Sequence, residues 1–94
     1  MRLISIYVLD EGIAAHPETK KQLDIWRSLV EEADWKTPHE LKAQFGKADI
    51  LPDKQVVFNI RGNHFRLLVK VDYQNKLVIV KKFGTHAEYD TWKL

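Results

Sequence analysis

The residues best suited to chemistry stand in the second half of the chain. Arg66 and Lys70 share a parity in an alternating run, so both project from one face of a strand, while Phe65, Leu67 and Val69 project from the other. Lys81 and Lys82 end a later apolar run, His86 follows the cap residue Thr85, and Tyr89 lies three positions on, hence on the same helical face. Two strand-borne cations, an imidazole and a phenol could converge on a phosphate. Beside the cap, the helix dipole disfavours the imidazolium of His86, leaving the neutral ring that accepts a proton. Tyr89 could stack on a base or donate its phenolic proton. A solvated sheet face accounts for the same cations, a cap-side surface residue for His86 and a boundary aromatic for Tyr89, so the pattern alone leaves both readings open. His16 and His39 fall at helix ends far from the basic half and read as structural.

Other chemistries find little material. There is no Cys, no His-Glu-x-x-His pair and no close pair among the four His, so no metal or other cofactor is expected. Gly62 stands alone in a turn rather than in a phosphate loop. The only serines, Ser5 and Ser28, lie in or beside helices, where a strained nucleophile is not expected.

The elements that must position these residues can be read from hydrophobic period. Met1 to Ser5 reads as a short strand, with Ser5 as the N-cap of a helix carrying Ile6, Leu9 and Ile13. That helix must stop near His16, because Pro17 disfavours helix in the residue before it. Pro17 then opens a second helix whose Leu23, Trp26, Leu29, Val30 and Ala33 recur every three or four residues, with charges outside. The pair reads as a helical hairpin with one face toward a core. Thr37-Pro38-His39-Glu40 is a capping-box pattern for a short helix to about Phe45, ended by Gly46, and Lys47 to Lys54 reads as a loop. From Val56 the period becomes two. Strands over Val56–Ile60, Phe65–Tyr73 and Leu77–Phe83, joined at Arg61-Gly62-Asn63-His64 and Tyr73-Gln74-Asn75-Lys76, form an antiparallel meander. Leu77 to Val80 is apolar on both parities, which places that strand centrally. Thr85-His86-Ala87-Glu88 is a second capping box, opening a helix through Tyr89 and Trp92. The class is α+β.

At 94 residues there is room for one domain, residues 1–94, and no second core. The longest apolar run near the start, Leu3 to Leu9, falls far short of the roughly 20 residues of a membrane span and meets Asp10 and Glu11, so a cytoplasmic protein is expected. Charge is unevenly placed. Residues 1–53 carry seven Lys/Arg against ten Asp/Glu, a net of −3, and residues 54–94 carry eight against three, a net of +5; together they make the overall +2. A basic half suggests a surface for a polyanion, although exposed strand faces also carry Lys and Arg without one.

The run Val57-Phe58-Asn59-Ile60-Arg61-Gly62-Asn63-His64-Phe65-Arg66-Leu67, then Lys81, then Gly84-Thr85-His86-Ala87-Glu88-Tyr89-Asp90, resembles the HigB family of RelE-like bacterial toxins. Upstream, Trp35 with Pro38, Leu41-Lys42 and Phe45 through Ala48-Asp49 are similar too, so the resemblance covers nearly the whole chain. It implies a RelE-like fold, a small sheet packed on helices. It also implies an mRNA interferase toxin of a type II toxin–antitoxin system. Such a toxin cleaves message on the translating ribosome without metal, through the RNA 2′-hydroxyl. A helix-turn-helix, HigA-like antitoxin would neutralise it, and operator DNA would be bound only through the antitoxin complex. Carried over by position, Arg66 and Lys81 match basic sheet positions, His86 and Tyr89 the terminal motif, and Arg61 and Asn63 the hairpin motif. The expected catalytic set is therefore Arg66, Lys81, His86 and Tyr89, with Arg61, Asn63, His64 and Lys70 on the RNA. Lys82 departs from the family, where an apolar or acidic residue is frequent, and is left unassigned. Two other classes remain: a non-catalytic RNA-binding module of α-β-β-β-α order, and a module that binds only protein.

Overall fold

The change of period at Val56 divides the fold as it divides the sequence. The computed structural model describes residues 1–94. It begins with β1 (Arg2–Ile4), α1 (Tyr7–Ala15), a 3-10 turn (Pro17–Thr19), α2 (Lys20–Glu32) and α3 (Pro38–Gln44). It continues with β2 (Asp49–Ile50), β3 (Gln55–Ile60), β4 (Phe65–Asp72), β5 (Leu77–Thr85) and α4 (His86–Tyr89). The class is the expected α+β.

Local chemistry sets most boundaries. His16, at φ −136° and ψ 75°, ends α1 immediately before Pro17. Ser5 does not cap α1. It sits at φ +62°, its carbonyl accepts from Val8 N–H at 3.2 Å, and the cap position falls to Ile6 with no side-chain bond. A hydroxyl in the left-handed region cannot take the extended backbone of a normal N-cap. On α2, Leu23, Trp26 and Val30 are buried, and the solvent face carries the Lys20–Asp24 and Arg27–Glu31 ion pairs at 2.6 and 3.1 Å. Leu29, expected inside, remains 40% exposed. Thr37 caps α3 by accepting from Glu40 N–H at 3.3 Å, while Glu40 Oε1 receives Lys36 N–H and so completes only half of the box.

The sheet has the order β1-β5-β4-β3-β2. The expected meander of β3, β4 and β5 is antiparallel and forms its middle. β1 adds parallel to β5 at one edge, and β2 pairs antiparallel with β3 at the other, inside the segment read as a loop. Both residues of β2 are exposed, so no apolar alternation marks it in the sequence. β5 is flanked on both sides, but the middle place belongs to β4. Arg61 and Gly62 turn the β3–β4 hairpin with φ of 55° and 66°, which Gly accepts freely and Arg61 adopts at a cost.

One sheet face presents Val56, Phe58, Ile60, Phe65, Leu67, Val69, Val71, Val78 and Val80 to Leu9, Leu23, Trp26, Val30 and Leu41. Gly12 lets α1 press on β5, since a Cβ there would lie 2.4 Å from the Phe83 ring. On the opposite face the cross-strand pair Val57 and Leu68 is also buried, although it is not part of this core.

Candidate active site

The cover of that second face comes from the C-terminus. α4 opens with a complete capping box: Glu88 N–H donates to the Thr85 hydroxyl at 3.1 Å, and Thr85 N–H donates to Glu88 Oε1 at 2.9 Å. The Thr85 N–H and then its hydroxyl hold the Glu88 carboxyl below the ordinary carboxylate range. α4 ends at Tyr89 rather than Trp92. Thr91 Oγ1 donates back to Glu88 O at 2.7 Å and Trp92 N–H to Tyr89 O at 3.0 Å, a tighter turn that folds the tail onto the sheet. Gly84, opposite Arg66, leaves room for it: a Cβ there would lie 3.2 Å from both Glu88 Cβ and Trp92 Cζ2.

Arg66 is consequently buried, at 7% exposure, where an exposed cationic face was expected. Its Nη1 donates to Asn63 O at 3.1 Å and Phe65 O at 3.2 Å, and its Nη2 donates to Asn63 Oδ1 at 2.8 Å. The Tyr89 ring lies beneath the guanidinium, 5.6 Å from Cζ to ring centroid. No carboxylate neutralises this cation, and Nε makes no bond within the protein. The arrangement fixes a positive charge in a defined plane. Tyr89 in turn meets Trp92 edge to face at 5.5 Å.

The β4–β5 register then shifts. Leu68 pairs with Lys82 and Val69 with Val80, so Lys81 is the extra residue of a β-bulge. Val80 and Phe83 both turn toward the core, and the two lysines between them are both exposed. Strict alternation would have sent one inward. Lys82 Nζ lies 5.7 Å from the Trp92 ring centroid.

Of the expected residues, the fold draws Asn63, Arg66 and Tyr89 into contact. It joins His86 to His64 through the backbone, His86 N–H donating to His64 O at 3.0 Å. The His86 ring is exposed, with Nδ1 3.5 Å from Asp90 Oδ2. Because α4 has four residues, the dipole argument for His86 loses its basis, and Asp90 orients the ring instead. Lys70 is exposed on the Arg66 face, opposite Gln55 and Ile79, two same-face steps along β4. Arg61 is not brought to this cluster; it lines a groove with Gln22, Ile25, Leu29 and Phe45 between α2 and β3. His16 packs edge-on against Phe65 at 4.9 Å, as a structural residue should.

Sequence reasoning left Lys82 unassigned and read Trp92 as part of the terminal helix, and the structure sets their side chains together. The signal was present: Val78 and Val80 keep period two, and Phe83 breaks it by one. A cavity of about 210 Å³ lies beside Tyr89, lined by Leu51, Pro52, Asp53, Gln55 and Leu94. A larger concavity, about 540 Å³, opens among Lys36, Lys54, Tyr73 and Lys76 at the far end of β4, where burial raises the Tyr73 phenol above its usual range. It holds neither a histidine nor a guanidinium. No three His, Asp or Glu side chains gather as a metal-ligand set, and no helix is long and apolar enough to cross a membrane.

Comparison with known proteins places the chain in a family. Residues 19–92 match the family model of the HigB toxin, described as the RelE-like toxic component of a toxin–antitoxin system. The mRNA interferase toxin HigB of Escherichia coli K12 is 30% identical over 92 residues, covering 96% of this chain and 88% of the relative. The mRNA interferase HigB of Shigella flexneri is 30% identical over the same span, and that of Escherichia coli O6:H1 is 29% identical. With the α+β fold, the terminal capping box and the basic sheet face all in place, the chain belongs to the HigB family of RelE-like toxins of toxin–antitoxin systems.

Proposed function

We propose that this protein is an mRNA interferase that cleaves message on the translating ribosome by attack of the RNA 2′-hydroxyl, without a metal ion. The observation that carries the reading is the un-neutralised Arg66 guanidinium, held by Asn63 and Tyr89, with the exposed Lys81 on the neighbouring strand. Attack forms the 2′-O–P bond and breaks the P–O5′ bond, and negative charge gathers on the phosphorane oxygens between. Arg66 and Lys81 supply positive charge there, with donors already oriented before the reaction. His86 takes the 2′-hydroxyl proton or returns one to the departing 5′-oxygen, and Tyr89 serves as the other proton carrier or as a stacking surface. Asn63 and His64 at the β3–β4 turn, and Lys70 two same-face steps along β4 from Arg66, hold the RNA backbone. Arg61 has no part in this arrangement.

A site with so few groups suits a substrate aligned from outside, because orientation alone can lower a barrier by about 7 kcal/mol or more. The ribosome supplies that alignment. The antitoxin is a helix-turn-helix, HigA-like protein, operator DNA is bound only through the complex with it, and the toxin acts in the cytoplasm as a single domain.

The test is the chemistry of the cut ends. Cleavage on purified translating ribosomes is expected to leave a 2′,3′-cyclic phosphate or its 3′-phosphate product and a 5′-hydroxyl, and a 2′-deoxy nucleotide at the scissile position is expected to block it. Ends bearing a 5′-phosphate, or efficient cutting at the 2′-deoxy position, would refute the mechanism.

A further inference from the structure

Two cation–aromatic couples stand side by side on the candidate active face. One, Arg66 on Tyr89, belongs to the site described above. The other, Lys82 on Trp92, does not, and every element that builds it is a local departure from regularity. The bulge at Lys81 turns Lys82 outward, Gly84 clears the space for the indole, and the tight turn after Tyr89 brings the indole in. An exposed lysine 5.7 Å above a half-buried tryptophan is held weakly and leaves the ring at little cost.

We propose that Lys82 and Trp92 form a nucleotide-binding subsite next to the scissile phosphate: a base stacks on the Trp92 indole while the Lys82 ammonium moves from the ring to that nucleotide's phosphate. The inference rests on the nuclease reading and extends it. Both partners have the chemistry required. An indole face stacks any base, and a lysine on a flexible stem suits a backbone phosphate. Trp92 touches Tyr89 edge to face at 5.5 Å, so a base seated on it lies one nucleotide step from the guanidinium cluster. Arg66 cannot make the same exchange, because three hydrogen bonds to Asn63 and Phe65 hold it in place. The two couples therefore divide the work. Arg66 is a fixed charge at the reacting phosphate, and Lys82 is a mobile one that binds the neighbour.

The molecule offers a direct readout. Trp26 and Trp35 are both 3% exposed, whereas Trp92 is half-buried at the surface, so quenching of tryptophan emission by RNA reports on Trp92. The experiment titrates the full-length protein at low salt with a fluorescein-labelled, fully 2′-O-methylated oligoribonucleotide, which cannot be cut by 2′-hydroxyl attack. Anisotropy and tryptophan emission are followed together, and message cleavage on translating ribosomes is measured for the same variants. Wild type is expected to bind with quenching. Trp92→Phe should keep its affinity within about threefold and lose most of the quench, because a phenyl ring still stacks. Trp92→Ala should bind roughly 5- to 150-fold more weakly. Lys82→Met should lower the slope of log affinity against log salt by about 0.7, one phosphate contact on a single strand. On ribosomes, Trp92→Ala and Lys82→Met should raise KM more than they lower kcat.

Binding without quenching, equal affinity of Trp92→Ala and wild type, or an unchanged salt slope in Lys82→Met would overturn the subsite. So would an absence of oligonucleotide binding together with unaltered ribosomal cleavage by the variants. In each case wild-type cleavage yielding cyclic-phosphate ends leaves the nuclease reading intact, and loss of that cleavage in wild type removes both. Should Trp92→Ala fail to fold, Trp92→Phe and Lys82→Met decide the matter.

Discussion

At the residue scale, Arg66 and Lys81 carry the same charge in opposite environments, and substitution should separate them. A glutamate at position 66 would place a carboxylate against the Asn63 and Phe65 carbonyls in a nearly closed site, where an unpaired charge is costly. Arg66→Glu is expected to lose about 3 kcal/mol or more of stability along with activity. Lys81→Glu should change stability by less than about 0.5 kcal/mol and still abolish cleavage, since it reverses an exposed cation that makes no ion pair within the protein. Thermal melts beside single-turnover cleavage distinguish the two. His86→Gln should slow the chemical step by about 10²–10⁴-fold; a loss below about threefold would move the proton-carrying role to Tyr89. The identities of Arg66, His86 and Tyr89 as candidates were legible from residue type and spacing. The burial of Arg66 was not, because the strand's alternation says which face a side chain takes and nothing about what later covers that face.

At the scale of elements, the candidate site depends on one short helix and its cap. α4 has four residues and no buried side chain, so the capping box supplies much of what holds it. Thr85→Ala should cost about 1 kcal/mol and speed amide exchange at Glu88 and the residues after it. The same box is sensitive to acid. The folded state lowers the Glu88 pKa from its ordinary value of 4.5, so the carboxylate's stabilising effect is complete above that value and is lost as pH falls through the lower folded value. Acid should therefore loosen α4 and the tail reversibly, with Trp92 emission as the measure. Glu88→Gln keeps a capping acceptor and should remove this component of the pH dependence. At the other helical contact, Gly12→Ala should destabilise by about 1–3 kcal/mol, because its methyl would overlap the Phe83 ring.

For the whole molecule, the division of charge matches the division of layers. The acidic half is mostly helix and the basic half mostly sheet, so the two halves that carry opposite net charge are also largely different layers. The protein expressed alone is expected to arrest growth, and co-expression of an adjacent helix-turn-helix partner to relieve the arrest. Lys81→Glu, expected to fold, should not arrest growth. Normal growth under strong induction of verified folded wild type would remove the toxin reading at the level of the cell. Stability rests elsewhere: Leu23 and Leu41 are essentially inaccessible, and Leu→Ala at either should cost about 2–5 kcal/mol in denaturant titrations without touching the Arg66 cluster.

What the sequence by itself determined lies in interactions of short range. The stop before Pro17, both Thr caps, the period-two strands and the Arg61–His64 turn all depend on residues within a few positions of one another. The residues quoted for the family resemblance also identified the toxin class. Tertiary structure decided the rest. β2 forms only because the edge of β3 is available, and β1 joins in parallel only because the β5 edge is open to it. Ser5 was misread as a cap, since its left-handed backbone follows from the path between β1 and α1. Lys81 and Lys82 face the same way because the β4–β5 register slips by one residue, a property of two strands and not of either alone. Trp92, read from sequence as the end of a helix, becomes instead the lid of a sheet face, because the space above Gly84 exists only once β4 and β5 are paired.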